Sequence, residues 1–199
     1  MNYIIPFSKI TMRDLPLVGG KNGSLGEMIQ SLSQYDINIP DGFALTADAF
    51  VKFIDSNKLG ELLEVKLSSL ELSSMDNLSE IGNYCRDIVS KATLPTDVKA
   101  SLQSAYQKII STYGEEVTFA VRSSGIAEDS PEASFAGQHD SFLNVRGIDQ
   151  LYTAVMGCYT SLYNDRAIKY RIDNGFKHDQ VGLSVGIQLM VRSDKSCAG

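Results

Sequence analysis

Hydrophobic side chains recur along this chain with two periods, and the change from one to the other marks out its elements. Leu25, Met28, Ile29 and Leu32 fall at i, i+3, i+4 and i+7, the spacing of an amphipathic helix. Ile37 to Leu45 reads as a turn, punctuated by Pro40 and Gly42, that feeds a short strand. Thr46 then stands as the N-cap of a helix using Ala47, Phe50, Val51 and Ile54. From Lys58 to Tyr113 the pattern is helical throughout. Leu59, Leu62, Leu63 and Leu67 mark one segment, and Leu78, Ile81, Cys85, Ile88 and Val89 the next. After Leu94-Pro95 a third carries Val98, Leu102, Ala105, Tyr106, Ile109 and Ile110, and Gly114 ends the block. Strands at Val117 to Val121 and Phe142 to Val145 flank a long polar segment. Ile148, Leu151, Tyr152, Val155, Tyr159 and Leu162 give another amphipathic helix, which Asn164 to Arg171 continues or restarts. Finally Leu183, Val185, Ile187, Leu189 and Val191 alternate with Ser184, Gly186, Gln188, Met190 and Arg192. That period of two predicts a long strand with one face buried and Gln188 on the other. The interleaving predicts a mixed α/β (α+β) fold, with residues 58–113 as a helical insert or small subdomain.

Composition leaves this picture standing and narrows the partners. The chain has 199 residues, enough for one large domain or two small subdomains. Its hydrophobic content of 43% and charged content of 21% are ordinary for a globular protein. A net charge of −6, with Lys and Arg scattered, argues against a nucleic-acid backbone or an anionic membrane as main partner. Cys85, Cys158 and Cys197 lie far apart, without CxxC or metal-ligand spacing, which fits reduced thiols in a cytosol. Met1 to Pro6 shows no signal peptide, and no window approaches the roughly 20 apolar residues of a membrane span. The expectation is a soluble cytoplasmic protein.

Candidate chemistry sits in two polar stretches. In the first, Gly19 and Gly20 precede the Leu25 helix, so Lys21 lies near a glycine-rich helix entrance. Free N–H groups and the positive dipole end favour an anion there, and Lys21 adds a mobile point charge. A tight glycine turn with a solvated lysine fits the same residues. The stretch is no Walker A loop, since position 15 is Leu and position 22 is Asn. In the second stretch, Arg122 leaves a strand into Ser123, Ser124 and Gly125. A guanidinium beside small donors and free backbone amides makes a sensible phosphate site. The alternative is an arginine that pairs with Glu128 or Asp129 and only orders the loop. His139, beside Asp140, is either a ligand-side donor or merely exposed, and His178 lies in a polar turn without an assigned role. No Ser/His/Asp or Cys/His nucleophile arrangement emerges.

Three stretches, taken in order, carry a resemblance: Val18 to Met28, Ile39 to Phe50 and Val121 to Gln138. They closely resemble the N-terminal ATP-binding region of the phosphoenolpyruvate synthase (pyruvate, water dikinase) family. Pyruvate, phosphate dikinase and rifampicin phosphotransferase share that ATP-grasp-like nucleotide domain. Asn164 to Ile168 and Gln188 to Asp194 look most like the synthase branch. The resemblance implies that Lys21 and Arg122 hold ATP phosphates. It matches Gly137 and Ser141 to the Gly and Thr of a loop lying over the nucleotide, and Gln188 to a residue lining the adenine pocket. Ser141 keeps the hydroxyl of that Thr and drops its methyl. Gly125-Ile126 stands where Ala-Thr is commoner, so position 126 brings no hydroxyl.

The same resemblance implies ATP and Mg²⁺ as cofactors, with the metal's acidic ligands beyond residue 199. It implies as partners a phosphohistidine domain and a pyruvate-binding barrel of the same parent chain. The expectation is therefore an N-terminal fragment, inactive alone, whose parent converts ATP, pyruvate and water to phosphoenolpyruvate, AMP and phosphate. Rifampicin phosphotransferase and pyruvate, phosphate dikinase remain alternatives, as does a stand-alone nucleotide-binding protein.

Overall fold

The alternating run near the C-terminus forms the centre of a sheet. In the computed structural model, which describes residues 2–35, 37–126, 140–178 and 181–191, this run is β5 (Leu183–Leu189). Around it lie β1 (Ile4–Pro6), β2 (Gly42–Leu45), β3 (Phe119–Gly125) and β4 (Ser141–Val145). The strand order is β1-β2-β5-β3-β4, and every neighbouring pair is antiparallel. The short N-terminal edge strand β1 had no signal in the hydrophobic pattern, because three residues do not establish a period.

The two faces of the sheet bury different things. Phe43, Leu45, Phe119, Val121, Leu183, Val185 and Ile187 point into one large apolar cluster. That cluster is completed by α2 (Ala47–Ser56), α3 (Leu59–Ser68), α4 (Leu78–Lys91), α5 (Thr96–Tyr113), α6 (Gly147–Ser161) and α7 (Asp165–Asp173). Helices α3 to α5 fill the stretch read as helical, with a turn region between α3 and α4, and bury Leu63, Ile81 and Leu102 in the same core as the strands. Each such side chain contributes about 1.5–3 kcal/mol when fully buried. The opposite face carries α1 (Leu15–Leu32), seated over a smaller cluster of Phe7, Ile10, Val18 and Ala44.

Several local expectations need correction. Helix α1 forms where its spacing predicts, but its most buried face is Val18, Gly19, Asn22, Gly23 and Gly26 rather than the Leu25, Met28, Ile29 and Leu32 stripe. Met28 is 44% exposed. Small residues win because they bring the helix backbone close to the sheet and to Ile10, where a side chain at Gly26 would overlap Ile10. Strand β3 continues through Gly125, so Arg122 stands inside the strand rather than at its exit. Thr46 occupies the N-cap position of α2, yet its hydroxyl donates to the Asn2 carbonyl instead of capping the helix. Helix α7 restarts after Asn164, which decides between the two readings open from the sequence.

Burial also sets the chemistry of two cysteines and an arginine. Cys85 and Cys158 are fully buried thiols, both pushed up by desolvation, Cys85 to about 11. The native Cys85 therefore keeps its proton between the ordinary 9.0 and about 11 while the unfolded thiol loses it. Stability falls as pH rises through that window. Alkylation at pH 8 followed by peptide mapping is expected to leave both thiols unmodified in the native protein and to modify both in urea. Rapid native labelling of either would contradict their burial. Arg171, 1% exposed, donates to the Leu162 carbonyl at 2.7 Å and to His178 Nδ1 at 3.0 Å. Burial pushes its guanidinium down to about 10, so it stays charged at neutral pH and locks α7 to its surroundings. His178, read as a bystander, is thus an acceptor for a buried cation.

Candidate functional site

The site begins with a break in α1. Gly19 adopts φ 70° and ψ 168°, which interrupts the helix and lets it start afresh at Gly20. Only glycine adopts such angles without strain. Gly20, Lys21 and Asn22 then form the first turn of the remaining helix, whose leading N–H groups have no intrahelical acceptor. The expectation that Lys21 lies at a glycine-rich helix entrance holds, with Gly19 as the residue that creates the entrance.

That entrance is fastened to β3 and β5. The Asn22 backbone N–H donates to Ser124 Oγ at 3.4 Å. The Asn22 side-chain amide donates to the Val18 carbonyl and to Ser184 Oγ, both at 3.0 Å. Ser184 Oγ in turn donates to the Leu45 carbonyl at 2.8 Å. Lys21 Nζ reaches the Ser123 carbonyl at 3.4 Å. The approach is close because the facing strand residues are small: a Cβ on Gly186 would overlap Asn22 Oδ1.

Between this helix turn and the sheet lies a cleft of about 330 Å³. Lys21, Arg122 and Gln188 all line it, with Gly20, Asn22, Ser24 and Ser123 among the other polar or small lining residues and Phe7, Leu25 and Met28 among the apolar ones. Arg122 and Gln188 reach the same face because they pair with Gly186 and Ala120 across β3 and β5. The Gln188 amide donates to the Pro40 carbonyl at 3.2 Å, which ties it to the turn ahead of β2. Among the described lining residues there are two cations and no carboxylate, in a chain whose net charge is −6. A positive concavity at a helix entrance, with apolar side chains in its lining, suits an anion attached to an apolar body.

The remaining candidates divide between placed and undescribed. Ser141 pairs directly with Arg122 across β3 and β4, so its hydroxyl shares the Arg122 face of the sheet. Gly137 and His139 lie outside the described residues, as do Glu128 and Asp129, the alternative partners for Arg122. Among the described residues the Arg122 side chain has no hydrogen-bond or ion-pair partner, and it is exposed. Sequence reading missed Asn22 and Ser184, which hold the entrance together with Ser124; Ser124, read as a donor beside Arg122, is fully buried and accepts from the Asn22 N–H instead. The available signal was small: Ser184, Gly186 and Gln188 on the strand face opposite Leu183, Val185 and Ile187 could have been read as a face meant for a close backbone neighbour. Two larger clefts, of about 540 and 590 Å³, lie against α3 and α5 and contain none of these residues. Among the described residues no cluster of His, Cys, Asp and Glu could hold a metal ion, and no helix is long and apolar enough to cross a membrane.

Comparison with known proteins gives this arrangement a context. The family model of the pyruvate phosphate dikinase AMP/ATP-binding domain matches residues 15–199. A phosphoenolpyruvate synthase of Deinococcus radiodurans is 46% identical over 199 residues, which is 100% of this chain and 25% of that relative. The phosphoenolpyruvate synthase of Escherichia coli is 41% identical over 196 residues, covering 98% of this chain and 25% of its own length. A probable phosphoenolpyruvate synthase of Archaeoglobus fulgidus is 38% identical over 193 residues, covering 97% and 25%. The chain thus spans about a quarter of the length of the curated relatives it matches.

Proposed function

The chain belongs to the pyruvate phosphate dikinase AMP/ATP-binding domain family, and from that premise we propose that the cleft between α1 and the sheet binds ATP. The observation that carries this reading is the convergence of Lys21, Arg122 and Gln188 on one cleft at a helix entrance, with no carboxylate among its described lining residues. Residues 1–199 would then be the N-terminal part of an ATP-grasp-like domain, with 58–113 as its helical insert. Lys21 and Arg122 hold the phosphates, assisted by the positive end of the helix that restarts at Gly20. Gln188, steadied by Pro40, addresses the adenine end. Ser141 offers a hydroxyl beside Arg122, and Gly137 belongs to the loop over the nucleotide.

Bound ATP supplies the phosphoryl group. The chain's own share is positioning and neutralisation of the negative charge that spreads over that group during transfer. The described donors of this cleft are cationic, amide or hydroxyl groups, which suit phosphate oxygens. Mg²⁺ would need ligands from outside the described residues. In the full-length protein, located in the cytoplasm, the acceptor is a histidine, and the overall reaction makes phosphoenolpyruvate, AMP and phosphate from pyruvate, ATP and water. The names of the relatives favour this over transfer to an antibiotic.

Titration calorimetry with ATP and with adenosine tests the site. Lys21→Ala is expected to weaken ATP by about tenfold or more and to leave adenosine unchanged, whereas Gln188→Ala weakens both. In the full-length protein, transfer of label from ATP to a histidine is expected to be lost in Lys21→Ala while the fold is kept. Undiminished ATP binding and labelling in that variant would rule out the assignment.

A further inference from the structure

Asn22 makes more of the cleft than its place among the lining residues suggests. In an uninterrupted helix its backbone N–H would bond the Val18 carbonyl, four residues back. The Gly19 break removes that option, and the N–H turns to Ser124 Oγ on β3 instead. The orphaned Val18 carbonyl is then recovered by the Asn22 side-chain amide, which spends its second donor on Ser184 Oγ of β5. Ser184 passes the connection on to the Leu45 carbonyl of β2. One 4% exposed side chain therefore bridges the two sides of the helix break and ties the restarted turn to the sheet. Lys21 is the preceding residue on that turn, while Arg122 and Gln188 stand on the strands to which it is tied.

We propose that Asn22, through Ser184, is a positioning residue that sets the Lys21 ammonium relative to Arg122 for phosphate binding. The inference rests on the reading of the cleft as an ATP site. An amide is required because the position needs two donors, one for the Val18 carbonyl and one for Ser184 Oγ. Neither a carboxylate nor a hydroxyl supplies both. With the bridge removed, Lys21 keeps its charge and its place in the sequence but loses its fixed base. The penalty therefore falls on phosphate binding and not on the adenine end.

The test is a double-mutant cycle on the full-length protein, reading ATP and adenosine affinities by calorimetry. Lys21→Ala alone must weaken ATP; if it does not, the reading of the cleft fails and this inference goes with it. Given that effect, Asn22→Ala and Ser184→Ala are each expected to weaken ATP about tenfold while adenosine changes by less than about twofold. In the Lys21→Ala background the same substitutions are expected to change ATP affinity by less than about twofold, because the residue they act through is gone. Equal losses with and without Lys21, or parallel losses of ATP and adenosine, would show a loosened fold only and overturn the assignment while leaving the ATP site intact. Should Asn22→Ala fail to fold, Ser184→Ala decides alone, since it cuts the bridge from the sheet side.

Discussion

Gly19→Ala is expected to lower the unfolding free energy by roughly 3 kcal/mol or more and to abolish measurable ATP binding. Two costs combine. The backbone at φ 70° and ψ 168° lies in a region that only glycine enters freely, worth about 1–3 kcal/mol for any other residue. A Cβ there would also sit 2.5 Å from the Gly125 carbonyl oxygen and 2.5 Å from Ser124 Oγ. The first of those is main chain of β3, held by its pairing with Leu183 of β5, so it cannot retreat without opening the end of the β3–β5 ladder. Gly114 separates the two costs. It has φ 87° and ψ 167° but nothing within 4 Å of where its Cβ would be. Gly114→Ala is therefore expected to show the backbone cost alone. Urea unfolding of both variants measures the difference. Equal midpoints would mean that the close approach of α1 to β3 is not what demands glycine at position 19.

Arg122→Ala is expected to weaken ATP about a hundredfold with little change in stability. A bidentate guanidinium contact with phosphate comprises two charge-assisted hydrogen bonds, together worth about 3 kcal/mol, or roughly a hundredfold in affinity. Stability is spared because Arg122 is exposed and, among the described residues, has no partner to lose. Exposed substitutions of this kind usually stay within about 0.5 kcal/mol. Arg122→Lys is expected to recover only part of the affinity, since an ammonium restores the charge but not the planar fork. Calorimetry with ATP, beside thermal unfolding of the same preparations, reads both quantities. An Arg122→Ala protein that binds ATP normally would mean that the guanidinium orders the neighbouring loop, the alternative open from the sequence. A protein that loses stability would mean that Arg122 has a structural partner.

The helices and strands were legible because burial imposes a period. Leu183, Val185 and Ile187 could only be the inner face of a strand, and Val98, Leu102, Ala105, Tyr106 and Ile109 only one side of a helix. The β1 strand was not legible, because its pairing with β2 comes from backbone groups and not from a side-chain pattern. Burial on α1 misled for a related reason. Its apolar stripe is real, but the helix approaches the sheet on glycine and asparagine, where closeness and hydrogen bonds outweigh apolar area.

By itself, the sequence determined the main helices and the strands β2 to β5, that the chain carries the motifs of a nucleotide-binding family, and that Lys21, Arg122, Ser141 and Gln188 were the residues to watch. Those conclusions depend on residue type and spacing, which the chain displays directly. The tertiary structure decided that Lys21, Arg122 and Gln188 face one cleft although more than a hundred positions separate the first from the second. It also decided that the helix entrance depends on Gly19, Asn22 and Ser184. Gly19 was visible as part of a glycine pair, but nothing local distinguishes Asn22 and Ser184. Their roles arise because a broken helix must place each backbone donor and acceptor somewhere, and only the folded sheet puts Ser124 Oγ and Ser184 Oγ within reach.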